Sequence, residues 1–193
     1  MTTVTAADVR SCRAVFEQMN ELTAGGGVIR NFHADIAMLD HVVETELFPY
    51  PALAAYSAWN LELPVSDEQR RTYFSAHRGG NQGDYRGGMR DKVANVVDCL
   101  TRFPASKRAV ISVVPRPDGS HTDDGLAKCL REVYVHLDGE MLDATVVMRA
   151  QAAEIFPKNI HFVGELMAEI AGRLDRRVGT LHYLAVVLVS ERW

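Results

Sequence analysis

Three cysteines in 193 residues are too few, and odd in number, for a disulfide framework. Cys12, Cys99 and Cys129 also share none of the short spacings on which structural zinc sites are built. No apolar run approaches the roughly 20 residues that a membrane-spanning helix needs, so no membrane partner is expected. The opening stretch "MTTVTAADVRSCRAVFEQMN" has neither the basic start nor the apolar middle of a secretory signal, and with the free thiols it predicts a reducing, cytoplasmic setting. Excess charge of one sign is small as well. A formal net charge of −4 argues against general polyanion binding, so nucleic acid is not an expected partner, and only a local basic pocket is left open. Internal repeats and low-complexity segments are absent. What remains is a chain that is 47% hydrophobic, predicted to form a single domain over residues 1–193 with a substantial core.

Hydrophobic spacing predicts the elements. Val9, Cys12, Val15, Phe16, Met19 and Leu22 recur at helical intervals over residues 5–22, and "AGGG" stops them. "VIRNFHADIAML" alternates loosely, as a strand does. "PALAAYSAWNLEL" reads as a helix with Pro51 in its first turn. Residues 66–90, polar and glycine-rich, read as a long loop. In "DKVANVVDCLTRF" a stripe of Val93, Val96, Val97 and Leu100 predicts a helix that Pro104 ends, with Cys99 and likewise Cys12 as core thiols. "AVISVV" reads as a buried strand. "REVYVHL" and "MLDATVVMR" are alternating strands joined through Asp138-Gly139, a good hairpin signal. "NIHFVGELMAEIAGRL" puts Ile160, Val163, Met167, Ile170 and Leu174 on one helical face. "TLHYLAVVLV" is apolar on both faces and reads as a central strand. The fold class is α+β, a mostly continuous sheet with helices packed on it.

Chemistry-bearing residues gather at strand edges. Lys107 and Arg108 precede "AVISVV", Cys129 precedes "REVYVHL", and Arg149 closes "MLDATVVMR". Singly, each has an ordinary reading: a buried thiol, a solvated strand cap, a surface turn. Together they fit one site. A thiolate nucleophile needs nearby cations, and a phosphate monoester needs several charge-assisted donors. His33, His77, His121, His136, His161 and His182 are scattered and read as solvent or core residues. His121 with Asp123 and Asp124 reads as a solvated loop cluster, and Gly25 to Gly27 lack the context of a phosphate loop.

The segment "YRGGMRDKVANVVDCLTRFPASKRAVIS" resembles thymidylate synthase and its pyrimidine-nucleotide hydroxymethylase relatives, which carry a Tyr-Gly, an Asp-Gln helix and a Pro-x-Ser-Arg-Arg in that order. Cys129 falls where the family has its catalytic Pro-Cys-His, and Arg149 follows after a hairpin as the family's arginine does. "FPKN" resembles the Pro-Phe-Asn that recognises the base, and "LFPYPALAAYSAWNLEL" resembles a Phe-Pro followed by a helix bearing the catalytic Glu-Leu. The resemblance covers about residues 25 to 178.

It implies a thymidylate-synthase-like sheet with packed helices, cut short after "VVLVSERW", in a homodimer that packs sheet against sheet and shares its sites. The implied catalytic set is Cys129, adding to C6 of a pyrimidine, with Glu62 and Tyr85; Glu44 and Glu46 are fallback choices for the carboxylate. The implied substrate-binding set is Arg149 and Asn159 from one subunit with Lys107 and Arg108 from the other, gripping a pyrimidine nucleoside monophosphate. An asparagine at 159 suits the N3–H and O4 edge of uracil, since an amide both donates and accepts. The function implied is C5 methyl or hydroxymethyl transfer. The family's one-carbon donor, methylenetetrahydrofolate, is less well matched: "AQAAE" lacks the aspartate that anchors the pterin, and Lys158 stands where an aromatic residue lines the folate side. Lys128 and Leu130 also flank the cysteine in place of proline and histidine. Two further readings therefore stay open: a nucleotide-binding paralogue without catalysis, and cysteine-dependent C5 exchange, dehalogenation or decarboxylation without folate.

Overall fold

The computed structural model describes residues 8–79, 83–113 and 128–190. Its framework is one mixed sheet of seven strands, carrying five α-helices among the described residues. The chain enters through β1 (Arg10–Ser11), a two-residue edge, and α1 (Cys12–Thr23), capped by Ser11 Oγ, which accepts from Ala14 N. β2 (Ile29–Ala37), α2 (Tyr50–Asn60), α3 (Asp67–Tyr73) and α4 (Met89–Arg102) follow. β3 (Val110–Ser112), β4 (Leu130–Asp138), β5 (Met141–Met148) and β6 (Gln151–Ala152) lead to α5 (Phe156–Arg173) and β7 (Arg177–Val189). The strand order is β1-β2-β7-β5-β4-β3, with β6 paired to β7.

Local chemistry accounts for the joints. β4 and β5 form an antiparallel hairpin because Asp138 pairs with Met141 and Gly139 supplies the positive φ, 58°, that the tight turn needs. β5 and β7 run parallel, which a hairpin cannot achieve, and α5 makes the crossover. β7 lies between β2 and β5 and is central, as its composition predicts. Alternation divides the sheet into two faces. Phe32, Ala34 and Ile36 of β2, Leu142, Ala144 and Val146 of β5, and Leu181, Tyr183 and Ala185 of β7 enter one core with residues of the helices. On the opposite face Tyr134, His136 and Val186 are exposed and His182 is partly so. α5 starts on Pro157 in its first turn and is buried all round from Phe156 to Gly164, as an interior helix must be apolar or internally satisfied.

The polar stretch from residue 66 is not the unbroken loop its composition predicts. Ser66 and Gln69 form a reciprocal capping box that starts α3, and a 3-10 turn covers Ala76–Arg78. The Ser-x-x-Gln signal outweighed a polar composition that lacks any buried face. α2 ends at Asn60, earlier than "NLEL" predicts, so Glu62 sits beyond the helix at φ 59°. α1 begins at Cys12 where the spacing predicts a start at residue 5; residues 5–7 lie outside the described residues. So do residues 114–127, with the polar loop bearing His121, Asp123 and Asp124. No helix among the described residues is long and apolar enough to cross a membrane.

Candidate active site

Cys129 stands at the head of β4 and Arg149 directly after β5, so the hairpin folds them onto each other. The Arg149 amide donates to the Cys129 carbonyl at 2.7 Å, and the guanidinium Nη2 lies 3.9 Å from Sγ. A bulge makes this pairing. From Asp138↔Met141 to Glu132↔Val147 the register is regular; between Leu130 and Glu132 it slips by one, and Leu130 meets Met148. Continued without the slip, the ladder would set Cys129 against Ala150, whose neighbouring arginine would point to the other face.

Tyr85 closes the back of this pair. Its hydroxyl accepts from Leu130 N at 3.3 Å, and its ring stacks on Phe162 with centroids 5.8 Å apart. Asn60 Oδ1 accepts from the Tyr85 amide at 2.6 Å, tying the residue to the end of α2. Two more phenols converge here. Tyr183 donates to Gln151 Oε1 at 2.6 Å, and the same oxygen accepts from Asn159 Nδ2 at 3.0 Å. Tyr56 donates to Gly83 O at 2.7 Å and lies 3.5 Å from Asn159 Oδ1. Burial pushes all three phenols well above the usual tyrosine range. They are neutral donors at any physiological pH. The result is a polar network of Tyr85, Tyr56, Tyr183, Gln151 and Asn159 within an apolar core that would otherwise penalise each polar group, with the half-buried Cys129 and the exposed Arg149 at its edge.

Other predicted site residues lie elsewhere. Glu62 accepts from Gly88 N at 3.2 Å and Arg90 N at 3.0 Å, so its carboxylate caps the start of α4 and anchors the turn that carries Tyr85. Glu44 accepts from Tyr50 N at 2.6 Å, capping α2, and Glu46 is exposed. Lys107 and Arg108 line a groove of about 550 Å³ with Asp98, Cys99, Arg102 and Ser106. Cys99 is accordingly only half-buried, with Sγ 3.2 Å from Ser106 Oγ, whereas its place on the α4 stripe predicts core; Cys12 is core, at 1% exposure. Arg102 is paired with Asp98 at 2.9 Å. This groove is at the far end of β4, because Val135 N donates to Ala109 O. At about 3.3 Å per residue, the strand from Cys129 to Val135 is about 20 Å long, beyond the reach of an arginine side chain. Within one chain the two basic groups do not meet.

The sequence reading missed three residues of the polar network: Gln151, Tyr56 and Tyr183. Aromatic residues at helical or alternating spacing look like core, and nothing local separates a phenol aimed at a partner from one that fills space. A second cluster was missed entirely. His41 Nε2 lies 2.9 Å from Glu165 Oε1, and the His41 and His161 rings are 5.3 Å apart. Its one local signal is the i, i+4 pair His161 and Glu165 on α5. No protein-family model and no curated protein matches the chain.

Proposed function

We propose that this chain is a thymidylate-synthase-like enzyme that modifies C5 of a pyrimidine nucleotide or close analogue. The observation that carries the reading is the Cys129–Arg149 pair, closed by the β4 bulge and backed by buried phenols. The Cys129 thiolate adds to C6; the C5–C6 electron pair moves to C5 and O4 as an enolate. C5 then bonds to an electrophile, a one-carbon unit in the leading reading. Loss of the C5 proton and expulsion of the sulfur restore the ring. With water as the only proton source the same steps exchange the C5 hydrogen. The enolate needs donors that are neutral and preplaced, a role the phenols and the Asn159–Gln151 amide network fit. Glu62 enters as the anchor of the Tyr85 turn, and direct proton shuttling would require it to leave the α4 cap.

The phosphate grip is assigned to Arg149 with Lys107 and Arg108 of a second subunit. Two features support this: the basic groove lies at the wrong end of β4 for its own cysteine, and Tyr134 and Val186 on the sheet's outer face are exposed, with no helix among the described residues covering them. A two-fold contact through that face lets each site borrow from the other chain. Methylenetetrahydrofolate fits the residues poorly. Lys158, 4% exposed, holds its ammonium over the Tyr56 ring at 4.6 Å and against Arg78 O at 3.3 Å, on the side where the resemblance puts the pterin. No step here runs through a folate.

The test is tritium release from C5-labelled uridine and deoxyuridine monophosphates. Release by the wild-type chain, abolished in Cys129→Ser, is the expected result. Nucleotide binding without release would favour the second reading, a binding module without C5 chemistry, to which the engaged Glu62 carboxylate already points.

A further inference from the structure

On the opposite side of α5 from Asn159, two residues and about 200° around the helix, lies a group the C5 chemistry does not use. His161 is 2% exposed. Its Nδ1 is held by Ser57 Oγ of α2 at 2.7 Å, while its Nε2 is fully buried and has no hydrogen-bond partner among the described residues. A buried, unpartnered imidazole nitrogen loses its hydration with nothing in return. The groups around it are ligand types. One ligand atom each from His41, His161 and Glu165 lies within 4.8 Å of the others. Tyr50 adds only a ring edge, its centroid 6.1 Å from that of His161.

The backbone is shaped for this meeting. His41 comes from the segment between β2 and α2, and its side chain packs against α5 at Gly164. A Cβ there would stand 2.2 Å from His41 Cγ and 2.4 Å from Cδ2, so only glycine admits the imidazole. Helical spacing then sets His161 and Glu165 on one side of α5, on either side of that gap.

We propose that His41, His161 and Glu165 form a binding site for a divalent cation of the zinc class. Two imidazoles and one carboxylate are a three-ligand set for Zn²⁺ that leaves a position open to water or an exogenous ligand. Ser57 is a positioning residue: by engaging Nδ1 it orients the ring and presents Nε2 to the metal. The bound cation joins the 38–49 segment to α5 and satisfies the orphaned nitrogen. This site stands independently of the C5 chemistry.

The experiment uses the full chain stripped with chelator, then titrated with Zn²⁺ and with Co²⁺, whose visible absorption reports tetrahedral coordination. The expected result is one saturable site per chain and a raised melting temperature. Ser57→Ala should weaken Co²⁺ binding roughly tenfold to a hundredfold, and His161→Ala and Glu165→Gln should weaken it further. Glu165 is half-exposed, so Glu165→Gln keeps its fold and separates lost binding from lost structure. Gly164→Ala, which pushes His41 away, should also reduce affinity. Cys129→Ser and His182→Ala should leave the site intact. Absence of a saturable site, binding unchanged in Glu165→Gln and His161→Ala, or binding lost in Cys129→Ser would each overturn the proposal.

Discussion

If Lys107 and Arg108 serve the cysteine of a second subunit, two separately crippled chains should repair each other. The perturbations are Cys129→Ser, which removes the nucleophile, and Arg108→Ala, which removes a phosphate contact. The geometry makes the prediction sharp: Ala109 hydrogen-bonds to Val135, and about 20 Å of β4 separates that point from Cys129. A site built in one chain would have to span that length. In a mixed dimer one site inherits both lesions and the other inherits none. Random exchange makes about half of the dimers hybrid, so about a quarter of wild-type activity should return. Arg108→Ala alone should lose about tenfold or more at substrate concentrations below KM, since one charge-assisted contact contributes roughly 1.5–3 kcal/mol. The assay is C5 tritium release after co-refolding the two variants, with hybrids confirmed by mass spectrometry. Hybrids present without recovered activity would refute the shared site and leave the basic groove without a role in C5 chemistry.

Lys107→Ala should weaken binding of a nucleoside monophosphate by about tenfold or more while sparing the nucleoside, by calorimetry; equal losses would show that the groove does not hold phosphate. Iodoacetamide followed by peptide mapping should modify Cys129 before Cys12, which is 1% exposed and whose thiol burial pushes up to about 12, and a bound monophosphate should protect Cys129. Stability should fall in alkali with a defined sign. Tyr56, Tyr85 and Tyr183 hold their protons more tightly folded than unfolded, so their contribution is complete below pH about 10 and is lost as pH rises beyond it. Each contributes up to about 1.4 kcal/mol per pH unit, Cys12 adds to the decline from its ordinary value of 9.0 upward, and Tyr183→Phe should lower the slope. Urea midpoints between pH 9 and 11 read this directly, and a flat profile would contradict the burial of the phenols.

Most of the sheet was legible because its signals are local. The β4–β5 hairpin announces itself by alternation on both sides of Asp138-Gly139, and the central place of β7 by its apolar run. Cys129 and Arg149 were legible as the two ends of that hairpin, yet their contact depends on a bulge at residues 130–132 that no residue type there requires. His41 was invisible for another reason. It sits in an irregular segment, 124 positions from Glu165, and nothing periodic marks it. Glu62 was assigned to a helix by continuity of composition, whereas its positive φ ends α2 and turns its carboxylate to the start of α4.

α5 shows why the candidate site resisted a pattern reading. The stripe through Ile160, Val163 and Met167 predicts one buried face, but the first turns of the helix are enclosed on every side, so the 3.6-residue period no longer separates inside from outside. What carries information there is violation of the rule. Lys158, Asn159 and His161 are all at least nine-tenths buried, and a core tolerates such groups only with partners. Each partner belongs to another element: Arg78 O and the Tyr56 ring for Lys158, Gln151 for Asn159, Ser57 for His161. Three polar residues within the enclosed first turns of α5 therefore require polar counterparts on the elements packed around it. They were the strongest local indication that α5 carries buried polar groups on more than one side. The identity of the counterparts was not legible, because which elements pack on α5 is set by topology and leaves no trace in neighbouring residues.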